Sequence, residues 1–143
     1  MLSVTATYAL RALAELAGLP AGATLLGRDL AERAGIPSNY LSKILWSLGG
    51  SGMIEAIRGI RGGYRLGRPA REIRLIEVVA LFNRMRNPQS CFLYGDRPCS
   101  ERAPCSAHEA WSRAGAAYAH FLEETTLAGI ARRKPSRKQR REA

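Results

Sequence analysis

The amino-acid sequence predicts a mainly α-helical fold with one small β-hairpin, on three observations. Apolar residues recur at helical spacing in several separate segments. One stretch, MIEAIR followed by GIRGG and YRLGRP, switches to a two-residue alternation around a glycine-rich turn. Between two of the helical segments lies CFLYGDRPCSERAPCSAH, residues 91–108, which holds every cysteine of the chain, Cys91, Cys99 and Cys105. At 143 residues and 46% hydrophobic, the chain has material for one core and an appended element.

The first helix is expected from about Thr5 to Ala17, with Ala9, Leu13 and Leu16 on one face and Gly18 and Pro20 closing it. LLGRDLAERAGIP then gives a short helix with Leu30 and Ala34 inward, ended by Gly35. Pro37 suits the first turn of the next helix. That helix, SNYLSKILWSLGG, turns Leu41, Ile44, Leu45 and Leu48 to one side and Asn39, Ser42, Lys43 and Ser47 to the other. Two helices across a turn of about three residues have the layout of a helix-turn-helix. Such pairs also occur in proteins that never touch DNA.

The hairpin sharpens that reading. Placed directly after the helix pair, it is a wing, with Arg58 and Arg61 at its tip and Arg65 beyond. Arginines so placed reach phosphates or a narrow minor groove; the plainer alternative is a solvated surface hairpin. The glycines also suggest a phosphate-cradling loop, but no lysine with serine or threonine follows. Charge points the same way. The formal net charge is +10, and it resides in two patches. Residues 58–74 carry Arg58, Arg61, Arg65, Arg68, Arg71 and Arg74 against Glu72; residues 132–143 carry seven basic residues against Glu142. Two basic patches on a balanced body suit a polyanion, and the tail, without apolar periodicity, is expected to be disordered.

EIRLIEVVALF predicts a further helix from Glu72 to about Phe82. The cysteine loop follows, broken by Pro88, Pro98 and Pro104. AHEAWSRAGAAYAHFLEETTLAGIA then predicts a long helix, or a helix with a short continuation. Its Trp111, Gly115, Tyr118 and Leu122 fall in a 4-3-4 row, and the small residues Ala114, Gly115, Ala116 and Ala117 would admit a second helix. We read it as a dimer helix, since two-fold symmetry matches a palindromic site; packing on the protein's own core is the alternative. The expected organisation is residues 1–84 for the winged helix-turn-helix, 85–108 for the loop, 109–131 for the dimer helix and 132–143 for the tail.

The loop spacing is C-x7-C-x5-C-x2-H, ending at His108. An odd number of cysteines fits a disulfide framework poorly and thiolate ligands better. Zinc sites usually include two cysteines two to four residues apart, and that knuckle is absent. Longer, proline-stiffened spacings suit a wider object and favour an iron–sulfur cluster, without matching a ferredoxin pattern. Zinc binding, or a thiol switch without a cluster, remains the alternative. His120 reads as an ordinary surface or interface histidine.

Taken together, YALRAL, LAERAGIPSNYLSKIL, IRGIRGGYRLGRP, IEVV, the three cysteines and FLEETTLAGIA resemble, in order and spacing, the Rrf-two (Rrf2) regulators that include IscR and NsrR. The resemblance covers nearly everything before the tail. It implies a homodimeric winged-helix transcription factor whose DNA binding changes when a cluster is lost, oxidised or nitrosylated. Cys91, Cys99 and Cys105 match the three cluster ligands, and His108 matches the histidine that completes the two-iron cluster of IscR-like members. Asn39, Ser42 and Lys43 fall at recognition-helix contact positions, beside Ser38, and Arg58 falls at the wing arginine. There are departures. The first cysteine spacing is longer than in IscR, so a four-iron cluster stays open. Thr7 stands where NsrR-like members place an acidic ligand, and Ser42 replaces the glutamate of IscR-type base reading.

The function classes narrow accordingly. No nucleophile elbow, HExxH, P-loop or paired acid and base marks an enzyme or a small-molecule substrate. A basic module without sequence preference is a weaker alternative. No run of 18 or more apolar residues appears, and the first residues have neither a basic n-region nor a cleavage site, so no membrane partner and a cytoplasmic location are expected.

Overall fold

The structure is a computed structural model that describes residues 2–83 and 89–132. Pro88 and the tail from residue 133, including its expected disorder, lie outside the described residues. Helix α1 spans Val4–Ala17; the Ser3 hydroxyl accepts from the Ala6 N–H, 3.1 Å away, and caps it. Its alanines and leucines supply the centre of the core: Ala6, Ala9, Ala12 and Leu13 are wholly buried. Helix α2, Gly27–Ala34, buries Leu30, Ala31 and Ala34 against it. Gly35 then adopts φ +63, the left-handed conformation that lets a glycine close a helix. Helix α3 spans Ser38–Gly50 and buries Leu41, Ile44, Leu45 and Leu48. Pro37 stands one position earlier than expected, at the N-cap, where its carbonyl accepts from Leu41.

Strands β1, Ile54–Ile57, and β2, Gly63–Leu66, pair antiparallel, with Ile54 opposite Leu66 and Glu55 opposite Arg65. Leu25, before α2, exchanges backbone hydrogen bonds with Tyr64 at 3.0 and 2.8 Å, and so fastens the hairpin to the helices. A turn of 3-10 helix, Ala70–Glu72, leads on.

Helix α4 spans Leu75–Phe82 and starts later than Glu72 because residues 73 and 74 are recruited elsewhere. The Leu75 N–H donates to the Thr125 carbonyl and the Leu127 N–H to the Ile73 carbonyl, each at 2.9 Å, an extended pairing that precludes helix there. Glu77 folds back to accept from the Arg74 N–H, 2.9 Å away, which caps the delayed start.

Helix α5 spans His108–Glu124, and the short α6 follows at Leu127–Ile130. The row expected to meet a second copy is a correction. Tyr118 and Leu122 join the protein's own core, and the Gln89 side chain sits over Gly115 while its Nε2 donates to the Trp111 carbonyl at 2.7 Å. The gap left by Gly115 is thus filled from within the chain. Burial pushes the Tyr118 hydroxyl pKa up. The opposite face, Ala110, Ala114, Ala117 and Phe121, is exposed. Finally, the chain past α6 crosses the end of α1. The Arg132 N–H donates to the Ala14 carbonyl at 2.9 Å, its guanidinium meets the buried Glu15 at 3.3 Å, and its backbone lies against Gly18 so closely that a Cβ would collide.

Candidate nucleic-acid interface and cysteine loop

The outward face of α3 carries the predicted contacts. Ser38, Asn39, Ser42 and Lys43 are all exposed, because the opposite face is fixed in the core. The Ser42 hydroxyl donates to the Ser38 carbonyl at 3.1 Å, and Asn39 and Lys43 project beside it. Tyr40 on the same helix packs edge-on against Tyr8 of α1, ring centroids 5.5 Å apart, so the two helices are braced at this face. Trp46 also lies outward and is 83% exposed. Sequence reading passed over it, although it falls one residue after Leu45, off the buried row. A groove of about 530 Å³ opens between α3 and the hairpin, lined by Ser42, Trp46, Gly49, Gly50, Ala56 and Tyr64 among others.

The wing tip is a tight turn. The Gly62 N–H donates to the Gly59 carbonyl at 2.9 Å, which sets Ile60 and Arg61 at the apex. Gly59 takes φ +108, and a side chain at Gly62 would strike the Ile57 and Gly59 carbonyls. From behind, the Thr24 hydroxyl holds the carbonyls of Arg61 and Gly62, at 2.9 and 3.2 Å. Arg58 and Arg61 are exposed and have no ion-pair partner among the described residues. Arg65 differs, since it pairs across the strands with Glu55 and its charge is compensated. The three wing arginines are therefore two available cations and one engaged one.

The cysteine loop folds as a rough hairpin over residues 89–99. Cys91 donates its N–H to the Arg97 carbonyl and Cys99 to the Gln89 carbonyl, at 2.8 and 2.9 Å. The loop docks on the first turns of α5, where the Trp111 indole N–H donates to the Ser90 carbonyl at 2.8 Å and the Trp111 ring tilts against Phe92. All three cysteines are free thiols, and Cys91 is buried. The four predicted ligands fall into two pairs. Cys99 Sγ is 3.2 Å from His108 Nδ1, and Cys105 lies near enough to Cys91 to help lower its thiol pKa. Burial pushes the Cys91 thiol up, but the backbone N–H groups of Tyr94 and Leu93, with Cys105 and Arg97, outweigh it and hold the thiol below its ordinary range. Among the described residues no three His, Cys, Asp or Glu side chains close on a single ion. The donors suit soft metals. Zinc asks for four ligands on one ion, whereas a two-iron cluster takes two on each iron. Thr7 is exposed on α1, its hydroxyl donating to the Ser3 carbonyl at 3.1 Å, and His120 is exposed on α5.

Among the described residues no helix is long and apolar enough to cross a membrane. The chain is 35% identical, over 131 residues, to an HTH-type transcriptional regulator of Mycobacterium tuberculosis, with 91% of this chain and 80% of the relative covered. Two solved structures share the fold. The global cysteine regulator CymR of B. subtilis superposes with TM-score 0.75 at 24% identity, covering 92% of this chain and 95% of its own. T. potens IscR superposes with TM-score 0.68 at 21% identity, covering 91% and 85%. Residues 2–133 match the sequence profile of Rrf2, described as an iron-dependent transcriptional regulator. A mainly helical body with one antiparallel wing, and a match along nearly the whole chain, place this protein in the Rrf2 family of winged-helix transcriptional regulators, which are not enzymes.

Proposed function

We propose that this regulator binds a palindromic double-stranded operator as a homodimer, and that an iron–sulfur cluster held by Cys91, Cys99, Cys105 and His108 sets its affinity. The observation that carries the reading is that the loop docked against α5 brings Cys99 within 3.2 Å of His108 and sets Cys105 near the Cys91 thiol. The paired arrangement favours a two-iron cluster over a four-iron one. When bound, the cluster supplies a redox-sensitive crosslink within the loop. The residues do the rest. Ser38, Asn39, Ser42 and Lys43 face the major groove, Arg58 and Arg61 the adjoining backbone or minor groove, and Arg65 steadies the hairpin through Glu55. The exposed row Ala110, Ala114, Ala117 and Phe121 on α5 is the face for a second copy. A loop fastened to that helix through Trp111 and Gln89 then links the cysteines to the spacing of two recognition helices.

Protein purified without oxygen tests this first. Matched iron and sulfide with visible absorption are expected, and Cys99→Ala should abolish the colour and change operator affinity about tenfold or more. Lost colour with unchanged affinity would remove the cluster from regulation. One observation favours a second reading, a thiol switch: Cys105 lies near enough to Cys91 to help lower its thiol pKa. Colourless protein whose mass falls by two hydrogens on peroxide treatment, with operator affinity changing alongside, would select it.

A further inference from the structure

Ile60 is the most exposed large apolar residue of the described chain, at 108%. Nothing in the fold accounts for it. It sits at the apex of the Gly59–Gly62 turn, a position that glycine, proline, asparagine, aspartate and serine ordinarily fill. Its β-branched side chain gains no packing there, and a turn braced from behind by Thr24 leaves it no hydrophobic contact to fold onto. Its immediate surroundings are cationic: Arg61 shares the apex, and Arg58 precedes the turn. An apolar point on a turn flanked by two exposed arginines is complementary to the floor of a DNA minor groove, where arginine satisfies the acceptors and an apolar side chain covers the rest.

We propose that Ile60 is a specificity residue that selects A·T pairs in the minor groove under the wing. This rests on the DNA-binding reading above and adds a base preference to it. The chemistry is one of exclusion. A·T and T·A pairs show only acceptors on the groove floor, and arginine donates to them. A G·C pair adds the guanine 2-amino group, which projects into the groove and needs an acceptor. Neither isoleucine nor arginine has one, so the amine is buried unpaired and G·C is disfavoured. The rigid turn matters, because a tip free to retreat would let water back to the amine. Thr24 and the positive-φ Gly59 hold it forward.

The test uses the full chain and a duplex it selects from a random-sequence pool. Footprints of the wild type and Arg58→Ala locate the base pairs under the wing, which are then changed to A·T, inosine·cytosine or G·C. Inosine·cytosine keeps the G·C major-groove pattern but lacks the 2-amino group. Wild type should bind A·T and inosine·cytosine alike, and G·C about tenfold more weakly. Ile60→Ala should reduce that preference to about threefold or less, and Ile60→Asn, which offers an acceptor, should recover G·C binding. Both changes are at a fully exposed position and leave the fold intact. An A·T preference unchanged in Ile60→Ala, or inosine·cytosine behaving as G·C, overturns the inference while leaving DNA binding in place. A chain that selects no duplex at all overturns the DNA-binding reading and this inference with it.

Discussion

The helical body with its wing and the cysteine loop are held together by different physics. In the body, Leu13, Leu30, Ile44, Leu48, Ile73, Val78 and Leu127 are almost completely buried, and each element is fixed by apolar contact with several others. In the loop, Cys91 is buried, whereas Phe92, Leu93 and Tyr94 stand 50–62% exposed, and the shape rests on a few backbone hydrogen bonds and the Trp111 indole. The lesson is a division of labour. A region shaped by burial has one arrangement, while one shaped by a handful of polar contacts changes when its ligands do.

The largest effect should come from striking the body. Leu30→Ala removes a wholly buried side chain between α1 and α2, and should cost about 2–5 kcal/mol in denaturant unfolding. Phe92→Ala in the loop should stay within about 0.5 kcal/mol of wild type. A loop variant costing as much as a core one would erase the contrast. Next comes Gly18→Ala, where the new methyl would meet the Arg132 backbone rather than a yielding side chain. It should lower stability by about 1–3 kcal/mol by forcing the C-terminal segment off α1. Full stability in this variant would show that the closing segment is dispensable. The smallest effect concerns acid. The Arg74 N–H and the Arg68 guanidinium hold the Glu77 carboxyl below its ordinary value of 4.5. A depressed carboxylate stabilises the fold fully above that value and ceases to do so as pH falls through the folded one. Glu77→Gln should flatten the acid limb of a stability–pH curve by less than about 1 kcal/mol, because the pair is more than a third exposed.

Much of the body was legible because its signals are local. The Leu41, Ile44, Leu45 and Leu48 row is buried as its spacing implies, Gly35 closes α2 in the left-handed conformation, and the glycine-rich turn makes the wing. What escaped the sequence depends on distant partners. The late start of α4 is imposed by Thr125 and Leu127, about fifty residues away in the chain. The small residues of α5 hid the same kind of surprise, since Gly115 receives Gln89 and not another copy. In the candidate sites, clustering announced the cysteines, but no spacing could announce that they would stand as Cys91 with Cys105 and Cys99 with His108. Arg65 looked like its neighbours until the register placed Glu55 opposite it. Trp46 and Ile60 went unmarked because sequence patterns reward apolar residues that fit a row, and these fit none.

The crossing of Arg132 over the end of α1 has a consequence in time. Helix α1 is made more than a hundred residues before the residues that cover its end, from Leu127 to Arg132. At roughly 5–20 residues per second, this helix waits on the ribosome for on the order of ten seconds with part of its apolar surface uncovered. A chain cut short after the cysteine loop lacks those residues, and the end of α1 stays uncovered for good.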